Sequence, residues 1–162
     1  MNYRIGQGFD THQLELDTPL IIGGVSIPFH KGSKGHSDGD VLFHAIVDAL
    51  LGAISEGDIG THFPSNDVQW KGAESKTFLS HAFSLVKSYG YKINNIDSTI
   101  ILQEPHVSPF IPKMKSNISK ILNIKLKNIS VKATTTDYLG FVGRGEGISA
   151  SSIILLKEKN EH

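Results

Sequence analysis

Apolar positions along the chain follow two periods, and the switches between them mark out the predicted elements. Leu42, Ala45, Ile46, Ala49, Leu50 and Ala53 recur at three- and four-residue spacing and predict a helix from about Val41 to Ile54, ended near Gly57. A second such face, Phe78, Leu79, Ala82, Phe83, Leu85 and Val86, predicts a helix from about Ala73 to Tyr89, with Gly90 placed to end it in a left-handed conformation. The approach to it, Trp70-Lys71-Gly72, reads as loop. Phe110, Ile111, Met114, Ile118, Ile121 and Leu122 make a third face, introduced by Ser108 as a hydroxyl N-cap and Pro109 at the first helical position. Strands are predicted over 3–8, 98–103, 129–133 and 148–156, and Leu20–Ile22 with Val25–Ile27 flank Gly23-Gly24 as a hairpin with a primed turn. Strand, helix and strand between 98 and 133 form a βαβ unit, so the crossover should be right-handed and the sheet partly parallel. The expected fold class is α+β: a small mixed sheet with helices packed on one face.

Composition narrows the class. A length of 162 residues suits one domain, 1–162, and 39% hydrophobic residues exclude disorder as a global description. Sixteen Lys plus Arg balance sixteen Asp plus Glu without a run of one sign, which argues against a nucleic-acid or anionic-membrane partner. The absence of Cys removes disulfides, thiolate metal sites and a Cys nucleophile, leaving eight His as candidate ligands. No apolar run approaches the ~18 residues of a membrane span, and the start carries no apolar leader, so a soluble, unprocessed, cytoplasmic protein is expected.

Three clusters could carry chemistry. Gly6-Gln7-Gly8-Phe9-Asp10 opens like a dinucleotide fingerprint but lacks its third glycine and precedes a hairpin, not a helix, so that reading is rejected. In an extended Asp10-Thr11-His12, residues i and i+2 share a side, so a carboxylate and an imidazole could reach one ion; alone, such a tripeptide is more often a solvated turn. Within His36-Ser37-Asp38-Gly39-Asp40, Ser37 or Asp38 can cap the following helix. Asp40, His44 and Asp48 lie at i, i+4 and i+8 beside its apolar stripe, and His44 with Asp10 and His12 would complete a two-imidazole, one-carboxylate set suited to catalytic Zn²⁺. Finally, Thr134, Thr135, Thr136 and Asp137 end a strand with three hydroxyls and a carboxylate. They suit phosphate oxygens and a hard cation such as Mg²⁺ or Mn²⁺, although threonines also simply favour strands.

Taken together, these residues resemble the 2-C-methyl-D-erythritol 2,4-cyclodiphosphate synthase family. The likeness covers about residues 3–156 and rests on the Arg4 to His12 run, Ile22-Gly-Gly24, Gly35-His-Ser-Asp-Gly-Asp-Val41, His44, Asp48-Ala-Leu-Leu-Gly52, Gly57-Asp-Ile-Gly60, Phe63-Pro64, Lys71-Gly-Ala73, Val131-Lys-Ala-Thr-Thr-Thr136 and Gly143-Arg-Gly-Glu-Gly-Ile148. The resemblance implies a homotrimer with active sites at subunit interfaces, and conversion of 4-diphosphocytidyl-2-C-methyl-D-erythritol 2-phosphate to the cyclic diphosphate with release of CMP. It implies zinc on Asp10, His12 and His44, transition-state stabilisers at His36 and Thr135, and magnesium or manganese at Asp137. Ser37 stands beside His36 at the substrate's phosphates, and Asp58, Ile59, Gly60 and the loop Phe63, Pro64, Ser65, Asn66 and Asp67 match the methylerythritol phosphate pocket. Leu102, Gln103, Glu104, Pro105, His106, Val107 and Ser108, together with Thr134 to Asp137 from an adjacent subunit, match the cytidine and diphosphate pocket. Phe141 and Arg144 match a central cavity that could hold an isoprenoid diphosphate. Three positions depart from the pattern: Asp137 where Glu is frequent, Ser65 where many members have an acid, and His106 where Lys is common. Two other readings compete: a zinc-dependent phosphoesterase and a non-catalytic, zinc-stabilised trimeric module.

Overall fold

In the computed structural model, residues 2–35 and 37–159 are described. Strand β1 (Tyr3–Leu16) runs twice as far as its apolar pattern predicts, and its composition explains why. Every second residue faces inward, and that row reads Gly6, Gly8, Asp10, His12 and Leu14, so neither alternating hydrophobics nor a turn marks its course. The two glycines let helix α1 (Val41–Ala53) lie directly on the strand. A Cβ at Gly6 would sit 1.8 Å from the Ala49 carbonyl oxygen, and one at Gly8 1.8 Å from that of Ala45. The rejected fingerprint is therefore a packing seam.

β1 pairs antiparallel with β7 (Gly147–Glu158) along almost its whole length and with β4 (Lys31–Ser33) at its end. β7 pairs antiparallel with β5 (Tyr91–Ile101), which in turn pairs parallel with β6 (Ile129–Thr134), as the βαβ unit predicts. The five-stranded order is β4-β1-β7-β5-β6. β5 starts seven residues before its predicted start, because a register shift between Ile93 and Asn95 interrupts the alternation that would have revealed it. The hairpin β2 (Leu20–Ile22) and β3 (Val25–Ile27) turns through Gly23 and Gly24 at φ 59° and 71°, as a primed turn needs.

Helix α1 covers β1 and β7, α3 (Ser75–Ser88) packs on α1, and α4 (Ile111–Leu122) lies against β6. The sheet face beneath them, including Ile96, Ile100, Ile148, Ala150 and Ile154, is buried. Short helices α2 (Ile59–His62) and α5 (Gly140–Gly143) and a 3₁₀ turn at Val68–Trp70 fall within stretches read as loop.

Two caps differ from expectation. Asp40, not Ser37 or Asp38, caps α1, accepting the Phe43 N–H at 3.0 Å. The same carboxylate takes the Gly23 and Gly24 N–H groups at 2.9 and 2.7 Å, so one buried side chain ties the helix to the hairpin turn. Burial pushes its carboxyl up to about 6, against the pull of those three N–H donors. Ser108 does not cap a helix: it is the first residue of a 3₁₀ turn, Ser108–Phe110, which Val107 precedes without a side-chain bond.

Candidate active site

The inward row of β1 continues past its glycines to Asp10 and His12, and the first turn of α1 sets His44 above them. Asp10 Oδ2 lies 2.7 Å from His12 Nε2 and 3.0 Å from His44 Nδ1, and the two ring nitrogens are 3.1 Å apart. These three donor atoms form a compact set of metal-ligating type. Two neutral imidazoles and a carboxylate suit a divalent ion of zinc's preference, and a small outward adjustment of the donors would admit it. Burial alone would raise the Asp10 carboxyl, but hydrogen bonds and charge from His12 and His44 outweigh it and hold it well below the usual carboxylate range. His12 shifts the other way: burial lowers it, while the bond to Asp10 and that carboxylate's charge raise it above its ordinary 6.5.

A cavity of about 350 Å³ opens beside His12 and His44, lined also by Gly35, Ser37, Ile59, Gly60, Phe63 and Ser65. The structure thus gathers the metal donors with much of the predicted methylerythritol pocket. Trp70 and Phe78 complete its wall, with the Trp70 ring edge-on to Phe63 at 5.0 Å. Sequence reasoning assigned Trp70 to a loop and Phe78 to the core; aromatic content near Phe63 was the available signal. Asp48 holds α2 beside this cavity by accepting the Ile59 N–H at 2.7 Å, and burial raises its carboxyl. Asp58 caps α2 and Asp67 caps the 68–70 turn, so both carboxylates shape the loop they belong to; Pro64 and Asn66 lie in the same loop but do not line the cavity. His36 lies outside the described residues.

The threonine cluster stands at a different place. β5 and β6 are parallel neighbours and end together, joined by Leu102 N–H to the Thr134 carbonyl at 3.0 Å. Residues 102–108 and Ala133, Thr134 and Thr135 therefore line one cavity of about 700 Å³, together with Phe29, which the sequence did not point to. This corrects the expectation that the two segments come from adjacent subunits: they lie side by side in one chain. Within this stretch Leu102 and Val107 are buried in the core, while Glu104, His106 and Ser108 are exposed. Thr134, Thr135 and Asp137 are exposed, and Asp137 and Tyr138 both have left-handed backbones, at φ 51° and 64°. Thr136 Oγ1 donates to the Leu139 carbonyl at 2.7 Å, and Gln103 Oε1 accepts the Tyr138 N–H at 3.0 Å, which fixes the loop. The two cavities share no lining residue. Arg144 is held in a bidentate pair with Glu146, at 2.9 and 3.1 Å, near Phe141 at the start of β7.

Comparison with known proteins accounts for this arrangement. Residues 3–157 match the model of the YgbB family. The chain is 57% identical over 159 residues to 2-C-methyl-D-erythritol 2,4-cyclodiphosphate synthase of Clostridium kluyveri, covering 98% of this chain and 97% of that one. The synthase of Clostridioides difficile is also 57% identical, over 94% of this chain and 95% of its own. Among solved structures, IspF of Plasmodium falciparum in complex with CDP superimposes with a TM-score of 0.87 at 40% identity, covering 98% of both chains. The bifunctional IspDF of Campylobacter jejuni gives a TM-score of 0.94 at 42% identity over 98% of this chain and 43% of that protein. On sequence and fold alike, the chain belongs to the YgbB family, that of the 2-C-methyl-D-erythritol 2,4-cyclodiphosphate synthases.

Proposed function

We propose that this chain closes the ring of 4-diphosphocytidyl-2-C-methyl-D-erythritol 2-phosphate, releasing CMP, as a phosphorus–oxygen lyase of the non-mevalonate isoprenoid pathway. The observation that carries the reading is the Asp10, His12 and His44 cluster opening into a cavity of about 350 Å³, in a chain that matches named synthases over nearly its full length. An oxygen of the 2-phosphate attacks the β-phosphorus as the bond to CMP breaks, so no water is consumed and no protein nucleophile is needed. A divalent ion, zinc by the donor set, supplies Lewis-acid charge for the phosphate oxygens when bound by Asp10, His12 and His44. The task of the chain itself is to hold a folded substrate in line and to screen its charge. Ile59, Gly60 and Phe63 enclose the methylerythritol portion. Thr135 donates its hydroxyl to the diphosphate, and Asp137 would hold a magnesium or manganese ion, which would supply positive charge to screen the phosphates. Residues 102–108 receive the cytidine, in keeping with the CDP bound by the Plasmodium falciparum relative.

Because the metal cluster and the threonine cavity are separate within one chain, the reading places one complete site between two subunits of a homotrimer. The sheet face turned away from the helices supports self-association: Ile5, Phe9 and Ile153 project from it with exposures of 72%, 57% and 52%. Phe141 and Arg144 would then border the central cavity, where an isoprenoid diphosphate would compete with Glu146 for Arg144. The test is incubation with the authentic substrate in ¹⁸O-water, with and without chelator. Cyclic diphosphate in the phosphorus NMR spectrum, free of solvent label and lost on chelation, is expected; a linear, labelled product would identify a phosphoesterase instead.

A further inference from the structure

Each imidazole of the metal cluster has one nitrogen facing the cluster and one facing away. His12 directs Nδ1 at the Lys34 carbonyl, 3.1 Å away; a carbonyl only accepts, so Nδ1 carries a proton, and in the neutral, metal-binding ring the lone pair is on Nε2, on the side of Asp10. His44 has no carbonyl in the equivalent place. Its Nε2 lies 2.9 Å from Ser75 Oγ and 3.2 Å from Ser37 Oγ, and a hydroxyl can donate or accept, so neither contact selects a tautomer by itself.

Asp38 makes the selection. Its Oδ1 accepts the Ser75 hydroxyl and its Oδ2 the Ser75 N–H, the latter at 3.0 Å, while the Asp40 N–H holds Oδ1 at 3.1 Å. A carboxylate offers lone pairs only, so the Ser75 hydroxyl points its proton at Asp38 and a lone pair at His44. In the neutral, metal-binding ring His44 Nε2 must then donate, which leaves the lone pair on Nδ1, facing the cluster. Ser75 is fully buried, so solvent does not compete for its hydroxyl. Ser37 is a weaker rival, being the longer contact and already accepting the Gly39 N–H at 3.3 Å.

We propose that Ser75 and Asp38 are positioning residues that fix the tautomer and ring orientation of His44 for metal binding. The inference rests on Asp10, His12 and His44 being the metal centre. Outer partners of this kind typically change metal affinity by about 10- to 100-fold. Zn²⁺ affinity is measured by chelator competition on wild-type protein, Ser75→Ala and Asp38→Asn, each checked for folding by circular dichroism. The His44 Nε2 proton of the zinc-loaded proteins is followed by ¹⁵N NMR. Expected are an affinity loss of about 10- to 100-fold in both variants and fast solvent exchange of a proton that is protected in the wild type. Asp38→Asn, which preserves side-chain shape, carries the test if Ser75→Ala does not fold. Folded variants that bind zinc within about twofold of wild type and keep that proton protected would overturn the relay while leaving the metal centre standing. Wild-type protein that binds no zinc would overturn both.

Discussion

The Asp10, His12 and His44 cluster and the Thr134 to Asp137 loop are built in opposite ways. The first grows out of the core: its carboxylate and one imidazole follow two glycines on the strand beneath α1, and its other imidazole is buried on that helix. Every ligand atom already meets another, and outer hydrogen bonds to the Lys34 carbonyl and the Ser75 hydroxyl orient the rings. The second hangs off a strand end, largely exposed, with a left-handed backbone at Asp137 and at Tyr138 just after it. A buried, hydrogen-bonded set can hold an ion at fixed geometry in a single subunit. An exposed hydroxyl loop can bind phosphates strongly only when something else excludes water around it, and in our reading the neighbouring subunit does so.

Substitutions should separate these halves. His44→Ala removes one of three metal donors, and kcat/KM should fall about 10³-fold or more, with zinc affinity lost and the fold kept. Melting of the His44→Ala protein, rather than inactivity in a folded state, would point to a structural zinc site. Thr135→Ala should lower kcat about 10²-fold, the usual effect of one lost oxyanion donor, while zinc affinity is unchanged. Gly8→Ala places a methyl group against the Ala45 carbonyl, so it should cost about 1–3 kcal/mol of stability in thermal unfolding. It should also weaken zinc binding through the displaced α1, whereas a substitution in the 134–137 loop should do neither.

The smallest effect is a pH dependence confined to the metal half. Asp10 is depressed below its ordinary 3.8 and His12 raised above its ordinary 6.5. In the metal-free protein, their ion pair therefore stabilises the fold fully between those two values. The contribution fades as pH rises through the folded His12 value and as it falls through the folded Asp10 value. Zinc must displace the His12 proton, so its affinity should climb as pH rises from 6.5 through that raised value, a trend that titration calorimetry would show. An affinity flat from pH 6 to 8 would contradict the Asp10 and His12 coupling.

The contrast also governs how much could be read from the chain. Helices with a regular apolar face, at Val41–Ala53 and Ser75–Ser88, fall within two residues of expectation because packing imposes their period. The far half of β1 was illegible as a strand because its inward positions carry Asp10 and His12 where hydrophobics would normally stand, although the spacing of these two residues still revealed their shared side. The role of Asp40 was hidden because its partners, Gly23 and Gly24, are 17 and 16 residues away in sequence. The roles of Ser75 and Asp38 beside His44 were hidden for the same reason, because Ser75 is 31 residues from His44 and 37 from Asp38 in sequence. Trp70 and Phe29 are single aromatics, and nothing periodic marks a cavity wall.

The central claim is that a working site takes its metal half from one subunit and its threonine half from another. Co-expression of His44→Ala with Thr135→Ala subunits tests it most directly. Two individually impaired chains that mix at random should leave one of the three interfaces in every mixed trimer, about one quarter of all interfaces in the population, pairing an intact metal cluster with an intact threonine loop. The account predicts CMP release recovering to about that fraction of wild type. Activity no higher than that of the separate variants, in trimers shown to be mixed, would contradict it.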